Sequence, residues 1–205
     1  MILKVCGMRE EENIRDAATL AIDMMGFIFY PRSARFVSEL PGYLPPPELR
    51  TGIFVNEEAE LIRKTATRFK LRTIQLHGDE SPALCRSLRH RGYRVIKAFS
   101  IRSDADLIRV KEYEEACDYA LFDYPCAERG GSGKKFDWQL LRRYEGKLPF
   151  LLSGGIGPDD IGALRGFVHP KLAGYDLNSC FEQRPGYKDI ALLKSFIQQI
   201  RNQQL

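Results

Sequence analysis

The chain has 205 residues, 44% of them hydrophobic and 28% charged, enough apolar material for one sizeable core and, by expectation, a single domain over 1–205. Its 31 Lys and Arg against 27 Asp and Glu leave a net charge of +4 with the two signs interleaved, which favours a small anionic ligand and gives no case for nucleic acid. No apolar run reaches about 18 residues, the opening MILKVCGMREEENIRD turns polar at once, and five scattered cysteines contain no CxxC pair; a membrane span, a secretory leader, a disulfide scaffold and a metal site are all disfavoured, and a reducing cytoplasm fits best.

Short apolar runs recur along the whole chain at 2–6, 24–30, 52–55, 73–76, 94–99, 119–122, 149–152 and 172–175, and each reads as a buried strand. Between them, 10–20, 57–69, 82–90, 136–144, 158–166 and 187–204 carry apolar residues at three-to-four spacing and read as helices. Pro41, Pro45, Pro46 and Pro47 crowd the connection before the third strand and leave little room for a second helix. Eight β-then-α units predict an α/β protein of the closed (β/α)8 barrel type, with parallel strands inside, helices outside and that one helix reduced. The alternative is an open doubly wound sheet, which usually has fewer strands and a glycine fingerprint after the first; here that turn, CGMRE, holds one glycine.

In such a barrel, chemistry comes from the C-terminal ends of the strands. Cys6 ends the first strand on the same face as Lys4, a candidate to lower the thiol pKa for work as a base. As a bland alternative it is a small buried hydrophobe. Arg35, in the loop YPRSARF, offers a fork for a carboxylate or is a solvated loop arginine. His77 ends strand four and either orients a substrate or hydrogen-bonds within the mouth. Asp123 ends strand six; partial burial would suit it to donate a proton, and its alternative role is to open the next loop. Glycines cluster at 130–133 and at Gly154, Gly155 and Gly157, and strand eight ends in Asp176-Leu177-Asn178-Ser179. Glycines near the last two strand ends let backbone N–H groups approach a phosphate. Trp138 is expected to anchor the preceding loop by packing.

Taken in order, KVCGM from Lys4, GFIFYPRSARFVS from Gly26, GIFVN from Gly52, IQLHGDES from Ile74, GGSGKKFDW from Gly130, LSGGI from Leu152 and PGYKD from Pro185 resemble the phosphoribosylanthranilate isomerases of tryptophan biosynthesis. The resemblance covers essentially the whole chain. It implies an aldose–ketose isomerase that needs neither metal nor organic cofactor, with a small phosphosugar as partner and a monomeric or homodimeric state. The family's general base falls on Cys6 and its general acid on Asp123. Its carboxylate-binding arginine falls on Arg35, and its phosphate loops on Gly154, Gly155 and Ser179, with His77 and Asp176 as further substrate-binding positions. One departure stands out: where the family reads DVSSGVE, this chain reads DLNSCFE, so that Asn178 replaces a serine and Cys180 a glycine whose backbone would lie near the phosphate. The alternatives to the isomerase are another phosphosugar barrel enzyme and a catalytically inactive phosphosugar-binding barrel.

Overall fold

Each apolar run does become a strand. The computed structural model describes residues 1–124 and 137–202. Strands β1 Ile2–Val5, β2 Met24–Ile28, β3 Arg50–Phe54, β4 Thr73–Leu76, β5 Arg94–Ser100, β6 Tyr119–Asp123, β7 Phe150–Leu152 and β8 Leu172–Leu177 pair in parallel in chain order, and β8 closes on β1. Closure excludes the open sheet. Parallel neighbours need long crossovers, and these bring the helices to the outside.

The period-two alternation divides the apolar residues into two layers. Met24, Ile96, Ala98, Leu121 and Leu151 fill the barrel interior, while a larger cluster including Phe27, Phe54, Phe122 and Phe150 lies between the strands and the surrounding helices. The helices are α1 Glu11–Ala17, α2 Ala59–Phe69, α3 Pro82–His90, α4 Asp104–Arg109, α5 Ile161–Gly166 and α6 Ile190–Arg201. Local chemistry sets their ends. Ser81 caps α3 by accepting from the Leu84 N–H with Pro82 in the first turn, Asp189 caps α6 by accepting from the Leu192 N–H, and α2 stops at Lys70 in the left-handed conformation. As the prolines dictate, β2 and β3 are joined without an α-helix, through a single 3₁₀ turn at Pro47–Leu49.

The helices differ from the sequence pattern in four places. Segment 104–113, a short α4 running into a 3₁₀ turn, has too few residues for its periodicity to register. The described residues of the expected helix 136–144 form only a 3₁₀ turn, Trp138–Arg143, and α5 starts three residues later than expected because Pro158–Asp160 forms a separate turn. The stretch 187–204 is not one helix. Tyr187–Lys188 (β10) pairs antiparallel with Glu182–Arg184 (β9) around Gly186, whose φ of +85° suits glycine, and α6 begins only after Asp189.

The β1–β8 seam is tight at Gly174, where a Cβ would overlap the Ile2 carbonyl oxygen on the neighbouring backbone. Gly174→Ala should therefore force the closing strands apart and cost about 1–3 kcal/mol or more. Urea unfolding followed by circular dichroism measures this, and a midpoint equal to that of the parent would show that the seam has slack.

Candidate active site

The C-terminal ends of the eight strands converge on one mouth, and most of the residues singled out in the sequence line it. Cys6 follows β1 directly, donates its N–H to the Leu177 carbonyl at 2.8 Å and is only 4% exposed. Gly26 on β2 makes room for the thiol, since a Cβ there would sit 2.8 Å from Sγ. One step down the same face of β1, Lys4 is fully buried and donates to Asp176 on β8 at 2.9 Å. Burial works against the Lys4 ammonium, but Asp176 and the Cys6 sulfur outweigh it and hold Lys4 above its ordinary value. Burial pushes Asp176 upward, with Asp123 adding to the effect and Lys4 and His77 opposing it.

The same burial pushes the Cys6 thiol up; Lys4 and Lys188 pull it down and Asp176 pushes it further up. Lys4 thus acts on the thiol in the expected direction. Lys4 lies where the sequence placed it, but desolvation of a fully buried thiolate outweighs its attraction.

Asp123 is the last residue of β6 and is buried. Its Oδ1 accepts from the Tyr124 N–H at 2.8 Å and its Oδ2 lies 3.3 Å from His77 Nε2. His77 Nδ1 in turn lies 3.0 Å from Gln75 Nε2. A cleft of about 500 Å³ opens beside His77 over the ends of β4 and β5.

On the β7–β8 side, Gly154 and Gly155 take φ of +85° and +70°. A Cβ on Gly154 would stand 2.8 Å from the Tyr124 nitrogen and 3.3 Å from Asp123 Oδ1, so a bare backbone is needed beside that carboxylate. Ser179 opens a 3₁₀ turn, Ser179–Phe181, and the Cys180 thiol donates to the Gly155 carbonyl at 3.6 Å, joining the two loops. Cys180 has no positive φ, so the substitution for glycine creates no left-handed strain. The glycines at 130–133 and Cys126 lie outside the described residues. Trp138 is buried at the start of its 3₁₀ turn.

Arg35 is not a solvated loop arginine. Its Nε and Nη2 grip the Glu182 carboxylate at 2.6–3.0 Å. Glu182 also accepts from Lys188 Nζ at 2.6 Å, and Lys188 reaches Asn178 Oδ1 at 2.7 Å. Sequence reasoning missed Glu182 and Lys188 as parts of the site because both sit in the β9–β10 hairpin, read as loop and helix. Burial works against the Glu182 carboxylate, but Arg35 and Lys188 hold it below the ordinary glutamate range. Burial lowers Lys188 to about 8 despite Glu182. Among the described residues no group of three or more His, Cys, Asp or Glu could hold a metal ion, and no helix is long and apolar enough to cross a membrane.

Buried ionisable side chains gathered at the C-terminal end of a closed parallel barrel, beside two left-handed glycines, mark the chain as an enzyme of the (β/α)8 class. Within that class, the family model for N-(5'phosphoribosyl)anthranilate (PRA) isomerase matches residues 3–199, and the chain belongs to that family. It is 52% identical to the N-(5'-phosphoribosyl)anthranilate isomerases of Parabacteroides distasonis, over 98% of this chain and 93% of the relative, and of Phocaeicola vulgatus, over 98% of each. The crystal structure of phosphoribosyl anthranilate isomerase from Thermotoga maritima superposes with a TM-score of 0.84 at 36% identity, covering 98% of this chain and 100% of that one.

Two predictions follow from the hairpin. Glu182→Gln strips both cations of their counter-charge and should destabilise the protein by about 3–5 kcal/mol. Thermal unfolding of the variant beside the parent tests it. Because Lys188 holds its proton less tightly folded than unfolded, the unfolded chain binds more protons between about pH 8 and the ordinary lysine value of 10.5. The stability of the parent relative to Lys188→Met should therefore rise across that window, as measured by urea titrations at several pH values; a flat difference would contradict the assignment.

Proposed function

We propose that this chain converts N-(5'-phosphoribosyl)anthranilate to 1-(2-carboxyphenylamino)-1-deoxyribulose 5-phosphate, with one catalytic (β/α)8 domain over 1–205 at work in the cytoplasm. The observation that carries the reading is that Cys6 and Asp123, buried at the C-terminal ends of β1 and β6, lie at one mouth of the closed barrel. Asp123 protonates the furanose ring oxygen, the C1′–O bond breaks and a Schiff base forms. Cys6, as thiolate, removes the C2′ proton to give an enolamine, which takes up a proton at C1′ and becomes the ketone. No net oxidant is required, since C1′ is reduced as C2′ is oxidised.

Arg35 retains Nη1, which bonds to nothing among the described residues, to meet the anthranilate carboxylate. Gly154, Gly155 and Ser179 receive the phosphate through backbone N–H groups, and His77 and Asp176 line the ribose between them. Support for a phosphosugar ligand comes from a phosphoribosyl anthranilate isomerase solved in complex with reduced 1-(o-carboxyphenylamino)-1-deoxyribulose 5-phosphate, which superposes at a TM-score of 0.81 and 33% identity over 98% of this chain and 100% of that one. The Thermotoga maritima isomerase has been described as dimeric; this chain acts as a monomer or homodimer. The inactive-barrel alternative rested on the Cys180 departure, and its strain argument is gone.

Cys6→Ala and Asp123→Asn should each lower kcat by about 10²-fold or more with KM nearly unchanged, because each removes a proton transfer made in the transition state. Loss of anthranilate-type fluorescence from freshly generated substrate is the assay. Parent-like turnover in either variant would remove that residue from its role.

A further inference from the structure

Gln75 is 1% exposed and sits on β4 two residues before His77, on the same interior face. Its Nε2 lies 3.0 Å from His77 Nδ1, and its Oε1 is buried with no hydrogen-bond partner among the described residues. An unpaired buried amide oxygen is costly, so a half-satisfied glutamine behind an imidazole calls for a reason. We propose that Gln75 is a positioning residue for proton donation: by turning its amide over, it satisfies His77 in both protonation states of the His77–Asp123 pair, which together hold the proton delivered to the substrate.

The proton count shows why. With one proton on the pair, that proton sits on His77 Nε2, 3.3 Å from Asp123 Oδ2, and the bare Nδ1 can accept from the Gln75 NH₂ group 3.0 Å away. With two protons, the second sits either on the imidazole or on the carboxyl group. In the first case both ring nitrogens are donors; in the second the carboxyl O–H donates to Nε2 and the ring proton resides on Nδ1. Both arrangements place N–H at Nδ1, facing Gln75. Only Oε1 can accept it, and a half-turn about the last side-chain bond brings the unpaired oxygen into the place of Nε2. A leucine offers neither group; a glutamate offers the acceptor alone. The other charged groups on this side of the mouth do not compete for Nδ1. Asp176 acts on His77 only through its charge and is engaged with Lys4; Lys97 donates to the Gly78 and Ala98 carbonyls and pairs with Glu80; Asp79, Arg102 and Arg109 line the cleft beyond the ring.

The inference deepens the proposed reaction and rests on Asp123 being its acid, but its main test does not use turnover. The chain has three histidines, so the ring-nitrogen NMR signals of His77 can be assigned by loss in His77→Asn and followed against pH. In the parent, the high-pH form should carry its proton on Nε2 and gain the next at the pair with Nδ1 protonated. Gln75→Glu should hold the two-proton state to higher pH than the parent and Gln75→Leu should give it up at lower pH, the two variants differing by about one pH unit or more. In kinetics, Gln75→Leu should lose about tenfold in kcat with KM unmoved. Equal titrations in folded Glu and Leu variants would overturn the proposal. So would Nδ1 protonation in the parent at high pH, a result that stands even if a variant fails to fold. Parent-like turnover in Asp123→Asn would instead defeat the acid assignment itself.

Discussion

The charge balance of the barrel mouth turns on one contact, the buried ion pair between Lys4 and Asp176. It lies in the β1–β8 seam, where the register sets the two residues side by side, so the last strand meets the first through a charge as well as a ladder of backbone bonds. Removing two charges from water is expensive, and an apolar pair of the same volume would serve stability as well or better. What the ions provide instead is a location. Directly above Lys4 the strand ends in Cys6, and the pair's two charges act on that sulfur in opposite directions. Lys4 draws the sulfur toward its thiolate, Asp176 works against it, and burial remains the largest influence on the thiol.

The same logic divides the interior by depth. Met24, Ile96, Leu121 and Leu151 fill the middle of the barrel with hydrocarbon, and the residues one step further along several strands are polar or ionic. Because all eight strands run in the same direction, these next steps all emerge at one end. Positions as distant in sequence as Cys6, His77, Asp123 and Asp176 therefore become neighbours without any local signal to bring them together.

This geometry explains what the sequence could disclose. The eight apolar runs are strong patterns, each becomes a strand within a few residues, and in a parallel barrel their last residues nominate the mouth directly. The absent second helix was legible because proline leaves no ambiguity. Segment 104–113 was not, since a helix of six residues falls short of two turns. Lys188 was hidden by a different competition: the apolar period of α6 extends backwards past Asp189, while Gly186 and two hydrogen bonds between the Asn13 side-chain amide and the Lys188 backbone hold that residue in a hairpin. The state of Cys6 was also beyond a linear reading, because it depends on how much water is excluded, and burial is a property of the whole fold.

The grip of Glu182 on Arg35 bears on how a turnover ends. A guanidinium already bonded along one edge is fixed in direction before any ligand arrives, so little side-chain freedom remains to be lost on binding. Half of its charge is also already answered. If, as proposed, Arg35 receives the anthranilate carboxylate, which the isomerisation leaves unchanged, it would aim that group without holding it at full strength, and the ketose would leave as readily as the aldose came in.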